Sequence, residues 1–132
     1  MKTIYSDTPW EKEVAYCRAK KVGNLIFVSG TTSIDENGAV VGGNVYEQSR
    51  FIFQKISKAL EKCGATFSDV VRTRTFIVNI DNFSQFAKAH KEVFNGIDPT
   101  ATCVEVSRLA SENLLIEIEV DAVLTKNILT NE

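Results

Sequence analysis

The chain has 132 residues, of which 44% are hydrophobic and 24% are charged, and this composition is typical of one soluble globular domain with a hydrophobic core. Disordered and fibrous proteins are excluded, and we expect a single domain over residues 1–132. Lys and Arg number 15 against 17 Asp and Glu, a formal net charge of −2, which provides no general attraction to phosphate backbones and argues against a nucleic-acid partner.

The cysteines and the histidine exclude common metal and disulfide sites. Cys17, Cys63 and Cys103 are an odd number at wide spacing and His90 is the only histidine, so neither a disulfide framework nor a zinc site is expected. No loop concentrates Asp and Asn at the spacing of calcium or magnesium ligands, so we expect no metal. No apolar run approaches ~20 residues, and the start of the chain lacks a signal-peptide core. We therefore expect a cytoplasmic protein without a membrane partner.

The first predicted element is a β-hairpin. Residues 25–29 read Leu-Ile-Phe-Val-Ser, a strand pattern, and the Gly23-Asn24 pair before them is typical of a tight turn. The turn would pair this strand with a strand over residues 16–22. Gly30 is predicted to end the second strand.

Two helices are predicted, over residues 45–63 and 82–95. In the first, apolar residues recur at helical spacing, and Asn44 with Glu47 three positions later forms a variant of the capping box. In the second, His90 falls on the same face as the phenylalanines, which favours a half-buried packing residue over a catalytic base. The predicted inner faces comprise Ile52, Ile56, Ala59, Leu60 and Cys63 in the first helix, and Phe83, Phe86, His90, Val93 and Phe94 in the second.

Three further strands are predicted, over residues 70–78, 102–109 and 114–124. Strands and helices in this order favour an open α+β sandwich with the helices packed on one face of a sheet. The last strand alternates strictly. Its apolar side carries Ile116, Ile118, Val120, Ala122 and Leu124, and its other side carries Glu117, Glu119 and Asp121.

The sheet face opposite the helices is predicted to carry charges of both signs. Strand alternation places Arg74, Cys103, Glu105 and Glu117 on it, together with Phe76. A solvated sheet face is one interpretation, since antiparallel sheets commonly have one. An interface between subunits is the favoured interpretation, because apolar residues are mixed among the charges. Buried charges have to be paired, so such an interface would be a natural place for a ligand.

Four segments resemble the Rid family, the reactive intermediate deaminases also called YjgF or endoribonuclease L-PSP proteins. They are Tyr16 with the Gly23-to-Gly30 strand, the Val70-Val71-Arg72-Thr73 strand, the segment from Cys103 to Leu109, and the Ile116-to-Val120 strand. The resemblance covers nearly the whole chain. It implies a chorismate-mutase-like sandwich, with an about six-stranded mixed sheet and two helices on one face. It also implies a homotrimer with a small-molecule cleft at each subunit interface.

The resemblance further implies an activity and its residues. Deaminases of the family hydrolyse 2-imino acids and their enamine tautomers to 2-oxo acids and ammonia without a cofactor. Glu117 matches the family's glutamate that orients the water, and is the predicted catalytic residue. The matching ligand-binding residues are Tyr16, Ser29, Gly30 and Cys103, whose backbone carbonyl assists in the family.

This chain departs from the family pattern at two positions. Ala101 stands where the family has the arginine that holds the substrate carboxylate, and Ala87 replaces an asparagine of the second helix. Because an alanine methyl offers no hydrogen bond, loss of the arginine weakens imino-acid binding by roughly ten- to a hundredfold. Arg74 is a candidate to hold an anionic ligand from another direction, and Glu105, on the same predicted face, is a further candidate ligand-binding residue. An ion pair of Arg74 with Glu105 or Glu119 is the favoured alternative.

Three functions follow. The leading hypothesis is hydrolytic deamination of a reactive imine or enamine, including one without an α-carboxylate. The alternative is a trimer that binds a metabolite without turnover, as a sensor or scavenger. The third is endoribonuclease activity. It is the least favoured, because Arg18, Lys20 and Lys21 form only one small basic cluster in an acidic protein.

Overall fold

The computed structural model describes residues 1–6 and 8–125. Its strands are β1 (Lys2–Ile4), β2 (Ala19–Val22), β3 (Leu25–Thr32), β4 (Val70–Ile77), β5 (Thr100–Glu105) and β6 (Ile116–Val123), and its α-helices are α1 (Pro9–Val14), α2 (Val45–Lys62) and α3 (Phe83–Phe94). The strands form one sheet in the order β1-β2-β3-β6-β4-β5. Only the β4–β5 pair of this sheet is parallel, so the sheet is mixed. The predicted α+β sandwich is confirmed.

The hairpin turn and both long helices lie where the sequence predicts them. The predicted strand bounds are wrong at two ends: β2 begins at Ala19, and β3 continues past Gly30 to Thr32. Val22 pairs with Leu25 across the turn, and Gly23 takes a left-handed φ of 59° that glycine adopts without strain. At the start of α2 the Asn44 side chain accepts a hydrogen bond from the backbone N–H of Glu47. This bond satisfies one of the free donors at the helix start.

The core lies between the sheet and the pair α2 and α3. Helix α2 packs against β3 and β6 and against α3. The apolar side of β6 is fully buried beneath it, as the alternation predicts. The largest fully buried side chains are Phe53, Ile26, Ile52, Ile56, Leu60, Ile77, Leu114, Ile116 and Ile118.

Strand β1 and helix α1 lie outside the predicted elements. Helix α1 has only six residues, too few to show a periodic apolar face. It is anchored by Glu11, which is 3% exposed. The Glu11 carboxylate accepts hydrogen bonds from the backbone N–H of Ser6 and from the hydroxyls of Ser6 and Thr8. A polar anchor of this kind gives no hydrophobic signal.

The predicted orientation of β5 is wrong. In the parallel β4–β5 pair, Thr75 lies opposite Cys103 and Ile77 lies opposite Glu105. Thr75 and Ile77 are buried beneath the helices, so Cys103 and Glu105 lie on the helix side of the sheet. Arg74 and Glu117 lie on the outer side, as predicted. Strand β5 is at the sheet edge and exposes residues on both sides, so its sequence alternation carries no sign of which side is buried.

Candidate functional site

Glu117 lies against a strand that makes room for its carboxylate. In the β3–β6 pair Thr32 is opposite Glu117, and the register shifts between Val28 and Thr31. Gly30 lies within this irregularity, and a Cβ on Gly30 would overlap Oε2 of Glu117. Only glycine leaves enough room at position 30 for the Glu117 carboxylate, and a residue with a side chain would displace it.

Burial changes the acidity of Glu117. Partial burial raises its pKa, the nearby Arg18 charge lowers it, and Glu119 raises it again, with a net shift upward. A carboxylate with a raised pKa is a better proton acceptor at neutral pH than an ordinary glutamate. Glu117 can therefore orient a water molecule and take up its proton.

Glu117 borders a concave site that we call the charged depression. Its volume is about 180 Å³. Its lining includes Trp10, Tyr16, Arg18, Gly30, Lys55 and Glu117. Three residues singled out by the sequence, Tyr16, Gly30 and Glu117, are thus brought together within one chain. The neighbouring Ser29 uses its hydroxyl to donate to the Cys17 carbonyl at 2.8 Å, which ties β3 to the segment before β2.

Two cations of the charged depression were missed by the sequence analysis. Arg18 is 7% exposed and donates from Nη2 to the Gly30 carbonyl at 2.9 Å. Lys55 donates from Nζ to the carbonyls of Thr32 and Ile34, at 2.8 and 2.9 Å. Burial, followed by the Arg18 charge, lowers the pKa of Lys55 to about 8. The one available signal was that Arg18 lies two residues after the matched Tyr16.

A second concave site, which we call the apolar depression, lies between α3 and β5. Its volume is about 480 Å³. Its lining includes Phe83, Phe86, His90, Phe94, Ala101 and Cys103. The His90 Nε2 lies 2.9 Å from the Thr73 hydroxyl, and burial lowers the pKa of His90. Burial also raises the pKa of the Cys103 thiol, which keeps it protonated and weakly nucleophilic.

Arg74 and Glu105 lie in neither depression. Arg74 Nη1 is 3.3 Å from Glu119 Oε1 and 3.1 Å from Asp121 Oδ2, an ion-pair group on the outer sheet face. Glu105 Oε1 accepts a hydrogen bond from the backbone N–H of Ile80 at 3.0 Å. The ion-pair interpretation of Arg74 is therefore confirmed for Glu119 and wrong for Glu105.

The described part of the chain has neither a metal-binding cluster nor a membrane-spanning helix. Over residues 1–6 and 8–125, no three His, Cys, Asp or Glu side chains gather closely enough to hold a metal ion. None of the helices in those ranges combines the length and the apolar character that a membrane span requires.

Comparison with known proteins decides the family. A sequence model described as endoribonuclease L-PSP matches residues 8–124. The chain belongs to this family, the Rid or YjgF proteins. A RutC family protein from Pyrococcus abyssi is 38% identical over 105 residues, covering 79% of this chain and 82% of the relative.

Solved structures of Rid proteins share the fold. A YjgF/YER057c/UK114 family member from Mycobacterium tuberculosis superposes with a TM-score of 0.87 at 35% identity, covering 93% of this chain and 98% of that one. A Rid protein from Yersinia pestis superposes with a TM-score of 0.80 at 31% identity, covering 94% and 95%. The sequence-based assignment to the Rid family is confirmed.

Proposed function

We propose that this Rid protein hydrolyses a reactive imine or enamine at a water oriented by Glu117, in clefts between the subunits of a homotrimer. The observation that carries the proposal is the half-buried Glu117 carboxylate, which lies against Gly30 and borders an open depression. A buried carboxylate with a raised pKa at the edge of a cleft is typical of functional sites.

The outer sheet face supports the homotrimer. Phe27 is 46% exposed and Val104 is 44% exposed, and both point away from the helices. The Arg74 ion-pair group lies on the same face. A face that mixes apolar residues with internally paired charges fits a second copy of the chain better than it fits bulk water.

The positions of the matched residues also favour a shared cleft. Tyr16, Gly30 and Glu117 line the charged depression, whereas Ala101 and Cys103 line the apolar depression. The two depressions have no lining residue in common. Glu117 lies on the outer side of the sheet and Cys103 on the helix side, so a cleft that draws one set from each of two copies would bring both sets together.

The chemistry requires only water and a proton acceptor. Glu117 takes a proton from the water while the water oxygen bonds to the imine carbon, the C=N electron pair moves to nitrogen, and Glu117 then passes its proton to that nitrogen. Collapse of the resulting carbinolamine breaks the C–N bond, forms the carbonyl and releases ammonia. The products contain the atoms of the imine plus one water, so no oxidant or reductant is consumed.

A coupled assay tests the proposal. An amino-acid oxidase generates 2-iminopropanoate from alanine, an amine oxidase generates an imine without a carboxylate, and semicarbazide traps whichever imine remains. The protein should lower trapping of at least one imine. Glu117→Gln should lose roughly 100-fold or more of that rate, the usual range for removing an acid–base group. The exposed Glu112→Gln is the matched control and should retain the full rate.

The assembly is tested separately. Light scattering should give three times the 14.7 kDa of one chain. Phe27→Asp places a charge on the outer face and should yield smaller species, whereas the apolar Phe27→Leu should remain trimeric. A wild-type monomer with undiminished deaminase activity would contradict the shared cleft.

The family description keeps a second function open to test. The matching model bears the name endoribonuclease L-PSP, so single-stranded RNA should be incubated with the same preparations. RNA cleavage that disappears in Glu117→Gln, without any effect on either imine, would replace deamination as the activity. Binding of small metabolites without turnover of imine or RNA would indicate the sensor or scavenger function.

A further inference from the structure

We propose that Arg18 forms an anion subsite that binds a carboxylate of the ligand beside Glu117. The inference rests on the proposed use of the charged depression as a ligand site. It assigns that ligand a class, an imine or related metabolite that carries a carboxylate. Arg18 then supplies the positive charge that Ala101 cannot.

Arg18 is buried, and no described residue forms an ion pair with it. It is 7% exposed, and its Nε is buried with no hydrogen-bond partner in the part of the chain that the structure describes. Within residues 1–6 and 8–125, the salt bridges involve Arg50 and Arg74, and none involves Arg18. Among the described residues its side chain donates one hydrogen bond, from Nη2 to the uncharged Gly30 carbonyl at 2.9 Å.

A buried guanidinium in this state is costly for the fold. Burying a charge without a counter-charge costs several kcal/mol in real proteins, so such groups usually face a partner. The two nearby carboxylates, Glu11 and Glu117, do not form this direct ion pair with Arg18. Glu11 accepts three hydrogen bonds from Ser6 and Thr8, and both Glu11 and Glu117 interact with the Arg18 charge through the longer-range field, without a direct ion pair among the described residues. A ligand carboxylate would provide the missing charge.

The surroundings of Arg18 favour a planar anion. The guanidinium carbon lies 5.9 Å from the centroid of the Tyr16 ring, which helps to fix the plane of the group. An oriented guanidinium presents parallel donors that match the two oxygens of a carboxylate. The partly buried ammonium of Lys55 lines the same depression and adds a second positive charge.

The other candidate arginine is already neutralised. Arg74 lies within 3.3 Å of Glu119 and 3.1 Å of Asp121. The apolar depression is lined by Ala101 and by no arginine, and the charged depression is lined by Arg18. Among the described residues, Arg18 is therefore the one arginine that lines either of the two depressions. The subsite therefore lies on the Glu117 side of the proposed cleft.

The direct test uses pyruvate and its neutral isostere pyruvamide as probes on the trimeric wild-type protein. Both are titrated while the Nε–Hε signals of the arginines are followed by ¹⁵N NMR, with inorganic phosphate as a third arm. Pyruvate should shift the Arg18 signal and bind at least tenfold more tightly than pyruvamide. Equal binding of pyruvate and pyruvamide, or preference for phosphate, overturns the inference.

Variants then separate charge from structure. Arg18→Gln should weaken pyruvate binding by ten- to a hundredfold, the effect of one lost hydrogen bond to a charged group, and should leave pyruvamide binding unchanged. Arg18→Lys should retain part of the preference for pyruvate. Arg50→Gln, which removes an exposed guanidinium on α2, is the control and should bind as wild type. If Arg18→Gln does not fold, the Lys variant and the wild-type probe pair still decide the question.

The result is independent of turnover. Pyruvate binding that depends on Arg18 in a protein that hydrolyses neither imine supports the inference and contradicts the proposed deamination. If the protein hydrolyses 2-iminopropanoate and Arg18→Gln leaves the KM unchanged, the proposed deamination is supported and the Arg18 subsite is contradicted.

Discussion

The two depressions of this chain differ in chemistry although both contain residues matched to one family site. The charged depression combines the buried Arg18 and the partly buried Lys55 with the Glu117 carboxylate. The apolar depression is lined mainly by phenylalanines, His90 and Cys103, with Lys91, Asn95 and Asp98 also part of its lining, and burial lowers the pKa of His90 and raises the pKa of Cys103. The carboxylate with the raised pKa and the buried arginine therefore lie on one side of the proposed cleft. The other side is mostly an apolar wall.

This difference has a simple electrostatic consequence. A proton-accepting carboxylate works best where a substrate charge is held at a fixed distance, since positioning and charge stabilisation carry most of the rate. In this Rid protein the cation and the carboxylate belong to the same depression and share the β3 irregularity. Changes there should act on turnover, whereas changes in the apolar depression should act on affinity and stability.

Gly30→Ala should produce the largest effect. The added Cβ overlaps the position of Glu117 Oε2, so the carboxylate has to rotate away. Because a flexible side chain can yield, the cost in stability should stay within about 1–3 kcal/mol, while turnover should fall roughly 100-fold. Steady-state kinetics beside thermal unfolding would measure both. A folded Gly30→Ala protein with wild-type turnover would show that the carboxylate position is irrelevant.

Ala101→Arg should have the next largest effect and tests whether the two sides share one anion. It adds a guanidinium to the apolar depression. In the Arg18→Gln background it should restore pyruvate affinity by about tenfold or more, one charged hydrogen bond. In the wild-type background the gain should be smaller, because the carboxylate already has a partner. Equal gains in both backgrounds would show that the depressions bind independently.

The sequence predicts those parts of the molecule whose burial is encoded locally. Helix α2 and strand β6 have strong periodicity, and the Gly23-Asn24 turn has its own chemistry, so all three lie where expected. The side that Glu117 occupies follows from strict alternation in β6. These elements place the predicted catalytic carboxylate correctly before any tertiary information is used.

Features that depend on tertiary neighbours were not predictable. Strand β5 is an edge strand in which Val104 lies on the outer side and the exposed Glu105 lies on the helix side, so its alternation predicted the wrong side for Cys103. Arg18 is buried next to the register shift of β3, where it donates to the Gly30 carbonyl. A register shift of this kind leaves no periodic pattern in the sequence. An arginine in a basic cluster therefore resembled a solvated surface residue until its neighbours were known.

His90→Gln should have a moderate effect, confined to acid stability. Burial holds the pKa of His90 below the usual 6.5, so on acidification the unfolded state takes up a proton first. Stability is then lost as the pH falls from about 6.5 towards the lower folded-state pKa. A glutamine can still bond the Thr73 hydroxyl but does not titrate. Urea midpoints at pH 7 and pH 5 should differ less for the variant than for the wild type.

Cys103→Ala should have the smallest effect, and it separates a thiol role from a backbone role. The thiol packs against the core, and burial raises its pKa. At neutral pH it is therefore protonated and is a poor nucleophile. Any contribution of Cys103 to ligand binding has to come from its main-chain groups, which alanine retains. Turnover should change less than about twofold, and stability should fall only by the loss of one small buried group. Loss of imine hydrolysis comparable to that of Glu117→Gln would make the apolar depression chemically active and remove the distinction between the two sides.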